Sequence, residues 1–117
     1  MHRFKRSARV SDLLHSTIAE IVEEDLKDPR IGFVTIIEVS VSDDLKNAQV
    51  YFSCLGSEED KIRSEEGLNA STGYIKKLIG ERTSLKYLPT IKFIFDRSIE
   101  KSLHIQELLN GVKDEKT

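Results

Sequence analysis

The sequence predicts an α+β fold, a two-layer sandwich in which one antiparallel three-stranded sheet carries its helices on a single face. Two periodicities and a set of chain breakers lead to it. Apolar residues recur at helical spacing from Val10 to Val22 and from Leu68 to Ile79, but alternate at period two over Phe33–Val41, Ala48–Cys54 and Ile91–Phe95. Between these segments fall Asp28-Pro29, Ser42-Asp43-Asp44, Gly56-Ser57, Ser71-Thr72-Gly73 and Tyr87-Leu88-Pro89, each built from residues that favour turns, caps or extended entrances. The order is helix, strand, strand, helix, kink, helix, strand and a C-terminal helix.

Residues 1–8 read as a basic N-terminal arm, 9–112 as one domain and 113–117 as a polar tail. In the first helix Val10, Leu13, Leu14, Thr17, Ile18, Ile21 and Val22 trace one face; Ser7 or Ser11 can cap it, and Asp28-Pro29 stops it. Phe33, Thr35, Ile37, Val39 and Val41 are expected to share one face of the first strand. The short Ser42-Asp43-Asp44 turn makes it an antiparallel hairpin with the second strand. Ser57, three residues before Asp60, signals a capping box, with aspartate in place of the usual glutamate. The helix that follows is polar, has Ile62 and Leu68 as its apolar contacts, and is expected at the periphery. Ser71-Thr72-Gly73 then suits a kink between helices, and Pro89 an entrance to the third strand. Ser98 can cap a last helix carrying Ile99, Leu103, Ile105, Leu108 and Leu109, closed by Gly111.

The 117-residue chain is long enough to bury a core without metal or disulfide staples, and its 38% hydrophobic and 32% charged content is that of a soluble protein. It contains no apolar run long enough to span a bilayer and no secretory signal pattern, so a cytoplasmic location is expected. The single cysteine, Cys54, lies in an apolar alternation and reads as a small core residue. His2, His15 and His104 are scattered, and no metal-binding, phosphate-loop or Ser-His-Asp spacing is present, which argues against an enzyme and against a metal or cofactor.

Net charge is −2, yet the charges are segregated. Arg3, Lys5, Arg6 and Arg9 stand in the first eleven residues with no acid, and Lys76, Lys77, Arg82, Lys86 and Lys92 face Glu81 alone between residues 73 and 95. Such separation creates a local positive field on a mildly acidic protein. Within the second cluster Gly73, Lys77, Gly80 and Ser84 fall on one side of a helix beside Lys76, a cationic face nearly bare of side chains that suits a phosphate backbone. The plainer reading is that the two glycines mark helix ends with solvated lysines between them.

The element order matches the type II K-homology (KH) domain, a single-stranded nucleic acid binder, except that no Gly-x-x-Gly loop is present and Ser71-Thr72-Gly73 stands in its place. With that kink the chain resembles the bacterial ribosome-binding factor A family over nearly its whole length. The resemblance runs through Arg9-Val10, Lys27-Asp28-Pro29-Arg30, Asp44-Leu45, Ala48-Gln49-Val50-Tyr51, Gly73-Tyr74-Ile75-Lys76 and Pro89-Thr90-Ile91-Lys92-Phe93. Ser71 departs from the family's alanine and Lys76 from its common arginine, which keeps the charge but loses bidentate geometry toward phosphate. The resemblance implies a non-catalytic, monomeric assembly factor for the small (30S) ribosomal subunit. Such factors bind free subunits or late precursors, assist maturation and end processing of 16S rRNA, matter most in the cold, and are released by a maturation GTPase. It makes Arg3, Lys5, Arg6, Arg9, Lys76, Lys77, Arg82 and Lys86 the candidate rRNA contacts, with an arm expected to be disordered until rRNA orders it. Two other classes stay in view: an enzyme, and a regulatory module that dimerises through Leu103, Leu108 and Leu109 or binds single-stranded RNA without a ribosomal role.

Overall fold

Helix α1 spans His2–Glu24 in the computed structural model, which describes residues 2–97, with side chains from Arg6 onward. The apolar stripe forms with one exception: Leu14, Ile18, Ile21 and Val22 are buried while Leu13 is 39% exposed, and each fully buried aliphatic side chain is worth about 1.5–3 kcal/mol. Neither Ser7 nor Ser11 is the cap. The helix continues without a break through the basic arm to His2, and the Ser11 hydroxyl instead accepts the Val41 N–H at 3.2 Å, pinning the helix to the hairpin. Past the end of α1, Asp28 takes the Arg30 N–H at 2.9 Å and the Arg30 guanidinium at 2.7 Å, closing the turn around Pro29.

Strands β1 (Phe33–Val41) and β2 (Asn47–Leu55) pair antiparallel, and β3 (Thr90–Phe95) pairs with β2 in parallel, giving the order β1-β2-β3. The sheet is therefore mixed, not antiparallel throughout. The helices between β2 and β3 carry the chain back to the end where β2 began, so Thr90 enters beside Asn47 and β3 must run the same way. The phase of β1 also differs from expectation. The pairing slips between Ile36 and Glu38, so Val34 and Ile36 point inward before the irregularity and Val39 and Val41 after it, while Phe33 is 80% exposed. One extra residue in a strand reverses the alternation beyond it, which a period-two reading misses.

Helix α2 covers Glu58–Ala70 and α3 Thr72–Arg82, with Ser71 between them. The Ser57–Asp60 capping box forms, the Ser57 N–H donating to the Asp60 carboxylate at 2.9 Å and the Asp60 N–H to the Ser57 hydroxyl at 3.2 Å. α2 is polar but not peripheral. Ile62 is 51% exposed, and the helix docks instead through Ser64, Gly67 and Leu68. The buried Ser64 hydroxyl accepts the Gly32 N–H at 3.1 Å and lies 3.4 Å from the Cys54 sulfur, so Cys54 is indeed a core residue. Asn69 gives its amide nitrogen to Phe93 O (3.1 Å) and accepts the Phe93 N–H (2.9 Å), while Glu65 accepts the Phe95 N–H (2.9 Å). Two side chains thus satisfy the outer edge of β3, which would otherwise present unpaired backbone groups.

α3 completes the layer by packing Ile75, Leu78 and Ile79 against α1 and the inner sheet face, where Val50, Phe52, Ile91 and Phe93 are buried. The expected C-terminal helix, Ser98 to Gly111, and the tail from Lys113 lie outside the described residues.

Candidate nucleic-acid interface

At the junction of α2 and α3, Ser71 sits at φ −94° and ψ 2°, where its N–H reaches back to both Gly67 O (3.1 Å) and Leu68 O (3.0 Å). Its hydroxyl donates to Gly67 O at 2.8 Å, and Thr72 Oγ1 donates to Asn69 O at 3.1 Å. Short hydroxyl side chains that bond to the preceding turn end α2 and let α3 start one residue later in a new direction. Gly73 follows on the outer side. A Cβ placed there would meet nothing within 4 Å, and the residue has no left-handed backbone angle, so the helix itself does not require glycine.

The outer side of α3 carries the two glycines and Lys77 as expected, with exposed Tyr74 and Glu81 flanking them. Gly73, Lys77, Gly80 and Ser84 are exposed and Lys76 is half-buried beside them. Among the described residues neither lysine forms an ion pair. Arg82 is placed differently from its neighbours. Its guanidinium donates to Asp25 at 2.8 Å and lies 3.5 Å from Glu20, so it ties the end of α3 to the acidic end of α1. The Asp25 hydrogen bond pushes its already high pKa further up. Of the cations expected to contact RNA, this one has its charge met inside the protein.

Arg6 and Lys86, eighty positions apart in sequence, are brought together at the opposite end of α3. They border an open cleft of about 780 Å³ between the start of α1, the hairpin tip and the loop before β3. Lys46 and Tyr87 complete its rim, and Tyr87 is 89% exposed. Lys46 owes its position to a constrained hairpin tip. Leu45 takes a left-handed φ of 62°, its N–H donates to Ser42 O at 2.8 Å, and Asp44 accepts both the Ser42 hydroxyl (2.6 Å) and the Lys46 N–H (3.0 Å). Those hydrogen bonds, the Ser42 one first, hold the Asp44 carboxyl below its usual range. The Thr90 N–H then bonds Lys46 O at 2.8 Å, sewing the tip to the strand after Pro89.

Arg9 is exposed on α1, and Arg3 and Lys5 belong to the first turns of the same helix. Lys46 and Tyr87 meet at this cleft because β3 runs parallel to β2; an antiparallel β3 would not bring the loop before it to the hairpin tip. The signal in the sequence is the cation two residues after the Ser42-Asp43-Asp44 cluster and the aromatic directly before Leu88-Pro89. His15 Nε2 is 3.1 Å from Ile36 O, and no group of metal-ligating side chains occurs among the described residues. No helix among them is long and apolar enough to cross a membrane.

Comparison with known proteins agrees with the sequence resemblance. The family model for ribosome-binding factor A matches residues 6–109. Ribosome-binding factor A of Halothermothrix orenii is 45% identical over 111 residues, 95% of this chain and 91% of that protein. The solution structure of a Thermotoga maritima protein, itself a candidate ribosome binding factor A, superposes with a TM-score of 0.69 at 33% identity, covering 81% of this chain and 91% of its own. A homology model of Thermus thermophilus ribosome binding factor A, fitted into a cryo-electron microscopy map of its 30S complex, gives a TM-score of 0.61 at 25% identity over 73% of this chain and 89% of its own. The shared kinked-helix sandwich and an identity sustained along almost the whole chain place the protein in the ribosome-binding factor A family, which comprises ribosome-binding factors and not enzymes.

Proposed function

We propose that the protein binds the small ribosomal subunit through rRNA and assists late maturation of that subunit. The observation that carries this reading is the cationic surface itself. Lys76 and Lys77 stand beside the uncovered Gly73 and Gly80, Glu81 is the one acid of α3, the acids of α1 and α2 lie elsewhere, and Asp25 just past α1 engages Arg82. Phosphates are contacted by such unpaired cations, and the absence of bulky side chains lets a backbone come close. The Thermus relative bound to a 30S subunit supports the choice of partner.

In this proposal the factor acts as a cytoplasmic monomer on free or nearly mature subunits and assists processing of 16S rRNA ends, with its greatest importance in the cold. A maturation GTPase then releases it. The basic start of α1 adds contacts to the same rRNA.

The test is co-sedimentation with purified small subunits across a salt series, using wild type and a Lys76→Ala/Lys77→Ala double variant. Wild type should travel with the subunits as a monomer. Loss of two phosphate contacts should flatten the slope of log affinity against log salt by about 1.5, while stability changes by less than about 0.5 kcal/mol. A stable dimer indifferent to subunits overturns the proposal. An unchanged slope in the variant moves the contact from α3 to the start of α1.

A further inference from the structure

We infer that the cleft beyond the C-terminal end of α3 is a pocket for an unstacked base of single-stranded RNA, with the cations on its rim holding the flanking phosphates. The inference rests on the ribosomal reading for its RNA but names a second binding surface. The kink at Ser71 and the cleft at Leu85–Leu88 lie at opposite ends of the eleven-residue α3, which at 1.5 Å per residue is about 16 Å long.

Three features of the cleft point to a base and not merely to an anion. Its floor is apolar, made by Leu45, Leu85 and Leu88, which pack against the core from outside. Its volume of about 780 Å³ lies within the range that holds a small ligand or nucleotide. At its mouth Tyr87 leaves its ring almost wholly in water, which no requirement of the fold explains. An exposed ring beside an apolar floor rewards a flat π surface, and among nucleic acids only an unpaired base offers one freely, since a duplex hides its base faces.

Charge selects the same occupant. Arg6, Lys46 and Lys86 surround the cleft, and none forms an ion pair among the described residues. The one carboxylate lining it, Asp44, is turned to the Ser42 hydroxyl and the Lys46 N–H. A neutral or acidic peptide segment would use the floor or the rim; a nucleotide uses both. The described chain also leaves the sheet at its other end, because β3 begins beside Asn47 at the cleft and finishes beside Phe52.

The experiment titrates the full chain with random-sequence single-stranded RNA of about ten nucleotides, within the site sizes of single-strand binders, and with an RNA duplex. Affinity is read alongside the methyl resonances of Leu85 and Leu88. Single-stranded RNA should shift those methyls through the ring current of a bound base, and abasic RNA of the same length should not. Tyr87→Ala should weaken single-strand binding roughly 5- to 100-fold with an unchanged salt slope, whereas Tyr87→Phe keeps the stack and binds as wild type. Lys86→Ala should lower the slope by about 0.7.

Wild type that co-sediments with small subunits but binds no single-stranded RNA overturns the inference and leaves the ribosomal reading standing. So does a Tyr87→Ala variant that binds single strands undiminished. If Tyr87→Ala loses subunits yet binds protein-free rRNA normally, the cleft takes a ribosomal protein instead and the inference fails. Failure of wild type to co-sediment counts against the ribosomal reading alone, because the oligonucleotide titration is scored without subunits.

Discussion

Helices α2 and α3 follow one another across a single residue, yet they are held in opposite ways. α3 is anchored by apolar area: Ile75, Leu78 and Ile79 are buried, and its outer side carries Gly73, Lys77 and Gly80 with Tyr74 and Glu81 at the flank. α2 is anchored by close approach and hydrogen bonds: Gly67 lies against the Asp28–Ile31 turn, Ser64 bonds Gly32, and Asn69 and Glu65 hold the edge of β3. A helix of polar composition can therefore be an integral part of a fold when its small residues admit a neighbouring backbone and its polar side chains stand in for a missing strand. The helix with the stronger apolar face is the one whose other side remains free for a partner. Two glycines six positions apart express the contrast. A Cβ at Gly67 would lie 2.8 Å from Ile31 Cγ1, while one at Gly73 would touch nothing.

The largest expected effect follows from Gly67. Gly67→Val should destabilise the protein by about 1–3 kcal/mol or more through overpacking, measured by urea or thermal unfolding. If it melts like wild type, α2 has no close contact with the Asp28–Ile31 turn and the contrast disappears.

Next in size is Asn69→Ala. It removes an acceptor and a donor that serve Phe93, and leaving such groups unmet costs about 1–3 kcal/mol. The readout is faster hydrogen exchange at the Phe93 amide together with a lower midpoint of unfolding. Exchange as slow as in wild type would mean that the edge of β3 needs no help from α2.

Gly73→Val should leave stability within about 0.5 kcal/mol, because the backbone there is ordinary and the space is open. Co-sedimentation with small subunits should nonetheless weaken, since the new side chain stands where an RNA backbone is to approach. A variant that binds normally removes the N-terminal part of α3 from the interface.

The smallest effect tests the turn on which Gly67 rests. The Arg30 side-chain hydrogen bond, helped by its N–H, lowers the Asp28 pKa from 3.8 to about 2. As the folded value is the lower one, the unfolded chain takes up the proton first when pH drops. The pair's contribution is thus complete above the ordinary carboxylate value and disappears as pH falls toward about 2. A carboxyl-carbon NMR titration should place the Asp28 midpoint near 2, and Arg30→Ala, which removes the guanidinium but keeps the backbone N–H, should move it up toward the ordinary range. An ordinary midpoint in wild type would remove the ion pair from the account of the turn.

What the chain determined by itself is local. The stripe from Val10 to Val22, the alternation in β2 and β3, the Ser57–Asp60 box, the kink at Ser71 and the glycines and Lys77 on the outer side of α3 depend on residues within a turn or two of each other, and all are present. The family resemblance belongs here too, because it rests on the order and spacing of such segments. Tertiary structure decided whatever joins distant residues. It set β3 parallel to β2, inserted the irregularity at Ile37, and carried the helix through the basic arm. It also spent the Arg82 charge on Asp25 while gathering Arg6, Lys46, Lys86 and Tyr87 around one cleft. Strand direction depends on which end of the sheet the crossover returns to, and ion pairing depends on which helix ends meet. Neither has a period that can be read along the chain, and both decide which charges are left to face solvent.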